Sequence, residues 1–113
     1  MNNQEVFTKV VTHLRKQGVK SVNTIGDCLY RAPNGNSCAV GCLIPDKEYH
    51  CNFEQRTVSE LVKSGDFPFL DGINPNLLTR LQNVHDLYLE SSWEDLLSTL
   101  ATKFDLTLPP LKG

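Results

Sequence analysis

No apolar run in this chain of 113 residues approaches the ~18 residues that a membrane-spanning helix requires. The opening MNNQEVF carries no apolar signal core, so a soluble protein that stays in the cytoplasm, without membrane partners, is expected. A long basic stripe is also missing: Lys and Arg number 11 against 13 Asp and Glu, for a net charge of −2. That balance argues against nucleic-acid backbone binding, which needs a concentrated positive surface. Lys9, Arg15, Lys16 and Lys20 form only a local cluster. There is no Walker loop and no G-x-G-x-x-G, H-E-x-x-H or G-x-S-x-G pattern. The commonest phosphate-loop, dinucleotide, zinc-protease and serine-hydrolase signatures are thereby excluded. Repeats and low-complexity segments are absent too. What remains is one ordinary globular domain, 40% hydrophobic and 21% charged, long enough to bury an apolar core.

The chain is organised around Cys28 to Tyr49, CLYRAPNGNSCAVGCLIPDKEY, which holds three of the four cysteines. In it, Cys28–Ala32 and Ser37–Ile44 suit strands, and Pro33-Asn34-Gly35-Asn36 lies between them. Asn-Gly between apolar runs is a strong hairpin signal because both residues tolerate positive φ. A β-hairpin is therefore expected, with Cys38, Val40, Cys42 and Ile44 on one face. The competing reading makes Cys38–Leu43 a short helix, against which Gly41 argues mildly.

Helices flank this stretch. Val6, Phe7, Val10, Val11 and Leu14 recur at helical spacing between Glu5 and Gln17, with an Asn2–Glu5 capping box and a stop at Gly18. Thr57–Glu60 opens a second helix that carries Val58, Leu61 and Val62. Asn74-Pro75 opens a third, with Leu77, Leu78, Leu81, Val84 and Tyr88 on one face. Ser92 and Asp95 pair to cap a fourth, striped by Trp93, Leu96, Leu97, Leu100, Ala101 and Phe104. The expected fold is α+β: a mainly helical single domain over residues 1–105, with one β-hairpin packed against about four helices. An extended C-terminal tail over 106–113 completes the chain.

Four chemistries are open to these residues. Cys28, Cys38, Cys42 and Cys51, with His13, His50 and His85, supply enough ligands for tetrahedral zinc. Only Cys38-x3-Cys42 resembles a ligand pair, so no cofactor is expected, and a zinc-stabilised interaction module is an alternative. Cys38 with His85 and Asp86 is the set to test for a cysteine-dependent hydrolase or transferase, since a thiolate needs an adjacent base. The plainest reading takes Cys38 and Cys42 as small buried apolar residues. Finally, Tyr30, Arg31, Asn34, Gly35, Asn36 and Ser37 surround the turn, where an arginine and backbone N–H groups suit an anionic ligand such as a phosphate.

The stretch Tyr30-Arg31, Gly35, then Cys38-Ala39-Val40-Gly41-Cys42-Leu43-Ile44-Pro45-Asp46 resembles a family of small uncharacterised proteins of tailed phages and prophages. The Phe7–Gln17 helix, Leu81-Gln82 followed by His85-Asp86, and Trp93 are similar as well. Cys38, Cys42, His85 and Asp86 match that pattern, whereas Cys51 is not a fixed position in it. The resemblance implies a phage accessory protein in the host cytoplasm that binds a host factor and does not act as an enzyme. Such a protein would inhibit an immune enzyme or hold the nucleotide signal that enzyme uses. The partners it implies are a host protein or a small anionic ligand, and a homo-oligomer is compatible with it.

Overall fold

The computed structural model describes residues 1–111. Four α-helices carry the fold: α1 (Asn3–Gln17), α2 (Val58–Lys63), α3 (Pro75–Leu87) and α4 (Trp93–Lys103). Short 3-10 turns punctuate the connections. Helix α3 is central: it packs against α1, α2 and α4.

The local sequence signals act as read for three of the four helix starts. Asn2 and Glu5 exchange reciprocal hydrogen bonds at the head of α1, and Gly18 ends it in the left-handed region at φ 71°. Thr57 and Glu60 do the same for α2. The Asn74 side chain accepts from the Asn76 N–H, with Pro75 in the first turn of α3. Each such cap is worth about 1 kcal/mol. The fourth cap differs: Ser92 makes no side-chain cap to α4. A 3-10 turn, Glu90–Ser92, runs directly into the helix, so Ser92 is already helical and lacks the extended backbone that a capping serine needs. Tyr88 also departs from the expected stripe. It ends α3 in extended conformation at φ −126° and ψ 153°, which turns its side chain outward to 45% exposure.

The expected β-hairpin does not form, and the α+β assignment is corrected to an all-helical architecture. Among the described residues there is no sheet, only two isolated antiparallel bridges, Val22 with Cys28 and Arg31 with Ser37. The Pro33–Asn36 turn does fold back, closed by Gly35 N–H to the Ala32 carbonyl and Ala32 N–H to the Asn36 carbonyl. Past Ser37 the chain coils. Cys42 N–H bonds the Cys38 carbonyl, Leu43 N–H bonds Val40, and Gly41–Leu43 is a 3-10 turn packed on α1. The reason lies in tertiary packing. A Cβ on Gly41 would lie 2.0 Å from the Tyr30 carbonyl oxygen, so the glycine permits backbone contact that no strand side chain would. The Val40 N–H, which a ladder would use, goes instead to Gln82 Oε1 at 2.9 Å.

The core joins the α1 stripe to Leu77, Leu78 and Leu81 of α3, and to Phe53 and Phe67. Phe67 meets Phe53 edge-on at 5.2 Å between ring centroids. Past α4, Thr107 exchanges two hydrogen bonds with the Gln4 side chain. Leu106 and Leu108 pack on the core. The final two residues of the expected tail, Lys112 and Gly113, lie outside the described residues.

Candidate functional site

The chemistry-bearing residues fall into two regions. The first lies at the carboxyl end of α3. His85 is fully buried. Its Nδ1 is 2.6 Å from Asp86 Oδ1, and the Ser21 backbone N–H donates to its Nε2 at 2.9 Å. An amide N–H cannot accept, so Nε2 carries the lone pair, Nδ1 carries the proton and the ring is neutral. Its face stacks on Trp93 at 5.8 Å between centroids. Gln82 completes the set: its Nε2 donates to both Asp86 oxygens at 3.1 Å while its Oε1 holds the Val40 N–H. Gln82, His85 and Asp86 thus clasp two distant loops to α3.

His85 and Asp86 are therefore together, but Cys38 does not join them as a nucleophile. Its thiol is fully buried and accepts from the Gly41 N–H at 3.2 Å. Burial drives its pKa far up, away from the thiolate. The lone pair a general base would use, on His85 Nε2, is already hydrogen bonded. The cysteine beside the pair is Cys28, whose thiol reaches toward the Asp86 carbonyl at 4.0 Å. Burial first, and the Asp86 charge second, push its pKa up to about 11, so it too rests as a thiol.

Ligand atoms of Cys28, His85 and Asp86 all lie within 4.8 Å of one another. Their hydrogen bonds do not suit a metal. Zinc on Nδ1 would move the ring proton to Nε2, where it would face the Ser21 N–H, donor against donor. Of the other cysteines weighed as ligands, Cys38 and Cys42 sit within the coiled turn, and Cys51 is exposed. The Cys42 thiol donates to the Ala39 carbonyl at 3.0 Å. Burial raises its pKa to about 12, with Lys9 opposing. His13 Nε2 donates to the Ser37 carbonyl at 2.8 Å, and the His50 ring caps a 3-10 turn through the Asn52 N–H.

Above Asp86 opens a cleft of about 310 Å³. Gln55 and Thr57, Thr79 and Asn83 of α3, and Cys28 and Asp86 are among its lining residues.

The second region is the turn. A polar cleft of about 670 Å³ brings Arg31, Gly35, Asn36 and Ser37 together with Lys9 and His13 of α1. Tyr30 and Asn34 do not line it. Tyr30 is buried, with its hydroxyl donating to the Arg56 carbonyl at 2.6 Å. The Asn34 side chain accepts from the Asn36 N–H. Further N–H groups of the turn point inward, as Ser37 N–H does to Gln17 Oε1 at 2.9 Å. Arg31 is braced from three sides. One nitrogen lies 2.7 Å from Asp46, another donates to the Ile44 carbonyl, and the guanidinium lies 5.1 Å from the Tyr49 ring centre. The Asp46 partner is 97% exposed, so that ion pair is weakly held.

No family model, curated protein or solved structure matches the chain.

Sequence reasoning missed Glu54. Its carboxylate accepts from the Tyr30 and Arg31 N–H groups at 2.8 and 3.2 Å and from the Tyr49 hydroxyl at 2.6 Å. Burial first, and the bond to Glu54 next, raise the Tyr49 pKa to about 12. Glu54 thereby fixes the backbone that carries Arg31. Nothing near it in the chain signals that role, because the two backbone N–H groups it holds lie 24 and 23 residues away.

Proposed function

We propose that this protein acts by binding, as a small phage accessory protein that inhibits a host factor in immunity. One observation carries the binding half of the proposal: Cys38 and His85, the residues weighed as nucleophile and base, are tied into internal hydrogen bonds, while the cleft beside Arg31 is open. Cys38 is sealed, and His85 has both nitrogens engaged. Arg31 and Lys9 present positive charge to a polar cleft. Among the described residues Arg31 has one salt-bridge partner, exposed Asp46, and Lys9 has none. An acidic partner group, either a carboxylate on a host protein or the phosphate of a nucleotide signal, would displace Asp46 at small cost. The phage context rests on the resemblance carried by Tyr30-Arg31 and Cys38–Asp46.

Expression in bacteria that carry individual defence systems tests this directly. The plating efficiency of a restricted phage should rise at least about tenfold in one background. Lys9→Glu, which breaks no salt bridge among the described residues, should lose most of that rescue while keeping its melting temperature. Absence of rescue across the panel, with no host protein retained on the immobilised chain, would sink the proposal.

A further inference from the structure

We infer that the cleft over Asp86 is a binding site for a primary ammonium group, carried either by a small free amine or by a lysine side chain. The Asp86 carboxylate is held rigidly from beneath. Buried His85 and Gln82 grip it, and each is anchored at its far end by a backbone N–H from a different loop. Its side chain stays 28% exposed and faces the cleft. Groups fixed in this way bind without first having to be ordered.

The charge of Asp86 lacks a formal counter-ion. His85 is neutral, because Nε2 accepts from Ser21. Arg56 lines the same cleft, but its guanidinium turns to Asp66 at 3.0 Å and to Ser64 at 3.2 Å. Lys20 is close enough to act electrostatically on Cys28, yet it makes no salt bridge with Asp86 among the described residues. A half-buried carboxylate in that setting favours a cation.

The remaining lone pairs choose the kind of cation. A carboxylate offers about four acceptor sites. Oδ1 already takes His85 and Gln82, Oδ2 takes Gln82, and the Cys28 thiol lies beside the carboxylate as a further weak donor. A guanidinium fork needs both oxygens open, whereas an ammonium needs a single strong acceptor and further neutral ones. The lining includes Thr79, Gln55 and Asn83, residues with such neutral side-chain oxygens, while the Thr57 hydroxyl is engaged with Glu60. This site is separate from the Arg31 cleft. Its test reads Asp86 alone, so either proposal can fail without the other.

The experiment is an amide-shift NMR titration of the intact chain with 1,4-diaminobutane, Nα-acetyl-lysine amide and Nα-acetyl-arginine amide, each to about 10 mM. Both amines should move the resonances of Asp86, Asn83 and Thr79, with affinity falling as salt is raised. The arginine derivative should bind at least about tenfold more weakly. Tighter binding of diaminobutane assigns the site to free amines, and tighter binding of the lysine derivative assigns it to a partner's side chain. Asp86→Asn removes the charge and keeps an acceptor for His85, so it should weaken binding at least about tenfold. Asn83→Lys leaves Asp86 untouched and places a tethered ammonium three residues before it on the helix surface; it should abolish binding. The inference is overturned if neither amine shifts these resonances. It is equally overturned if the arginine derivative binds as well as the amines, or if folded Asn83→Lys binds within about twofold of the parent.

Discussion

Gly41 decides the conformation of the central stretch. Its propensity argues mildly against helix, yet the residue sits in a 3-10 turn with the Tyr30 carbonyl oxygen 2.0 Å from where a Cβ would lie. A methyl group there would meet backbone, which cannot rotate away. Gly41→Ala should therefore cost about 2–3 kcal/mol, at the upper end of overpacking effects. Urea denaturation reads this as a lowered midpoint, and an unchanged midpoint would show that the contact is loose. Such a role cannot be seen in composition or spacing, since it depends on a carbonyl eleven positions earlier in the chain. The same holds for Gln82 and His85. Helical periodicity places them on α3, but their partners Val40 and Ser21 lie 42 and 64 residues away.

Elements were legible where their signals are local. Capping boxes and apolar stripes operate within four residues, so α1, α2 and α3 begin as their sequences imply. The hairpin failed because its turn was real and its second strand was not: Asn-Gly reverses the chain without fixing the conformation of the residues beyond the turn. Between elements, Arg15 ties α1 to α4. Its Nε and one Nη grip the two Glu94 oxygens at 2.6 and 3.0 Å, and its other Nη reaches the Pro109 carbonyl at 2.8 Å. The Arg15 hydrogen bond holds the Glu94 carboxyl below its ordinary range. A carboxyl whose pKa is lower when folded stabilises the protein above its unfolded pKa, and that increment is lost as pH falls through the folded value. Glu94 is 41% exposed, so solvent screening keeps the increment below about 1 kcal/mol. Glu94→Gln should lower the melting temperature slightly at neutral pH and flatten its decline below about pH 4.5. Parallel melting-versus-pH curves for the two proteins would count against this coupling.

At the scale of the whole molecule, a coiled, cysteine-bearing turn packs on α1 and is pinned to α3 by Gln82. No helix of the described residues is long and apolar enough to cross a membrane. The motif that draws the eye in the sequence, Cys38 to Asp46, builds one wall of the Arg31 cleft through Gly41, Cys42, Ile44, Pro45 and Asp46. Its sulfurs make no nucleophile–base pair with His85. The central claim is that Cys38 is filler between layers and that function resides in the clefts. Timed alkylation of the native protein, mapped cysteine by cysteine with mass spectrometry, tests it most directly. Exposed Cys51 should react within the first time points, and Cys38 should stay unmodified until denaturant unfolds the chain. Labelling of native Cys38 at the rate of Cys51 would contradict the account.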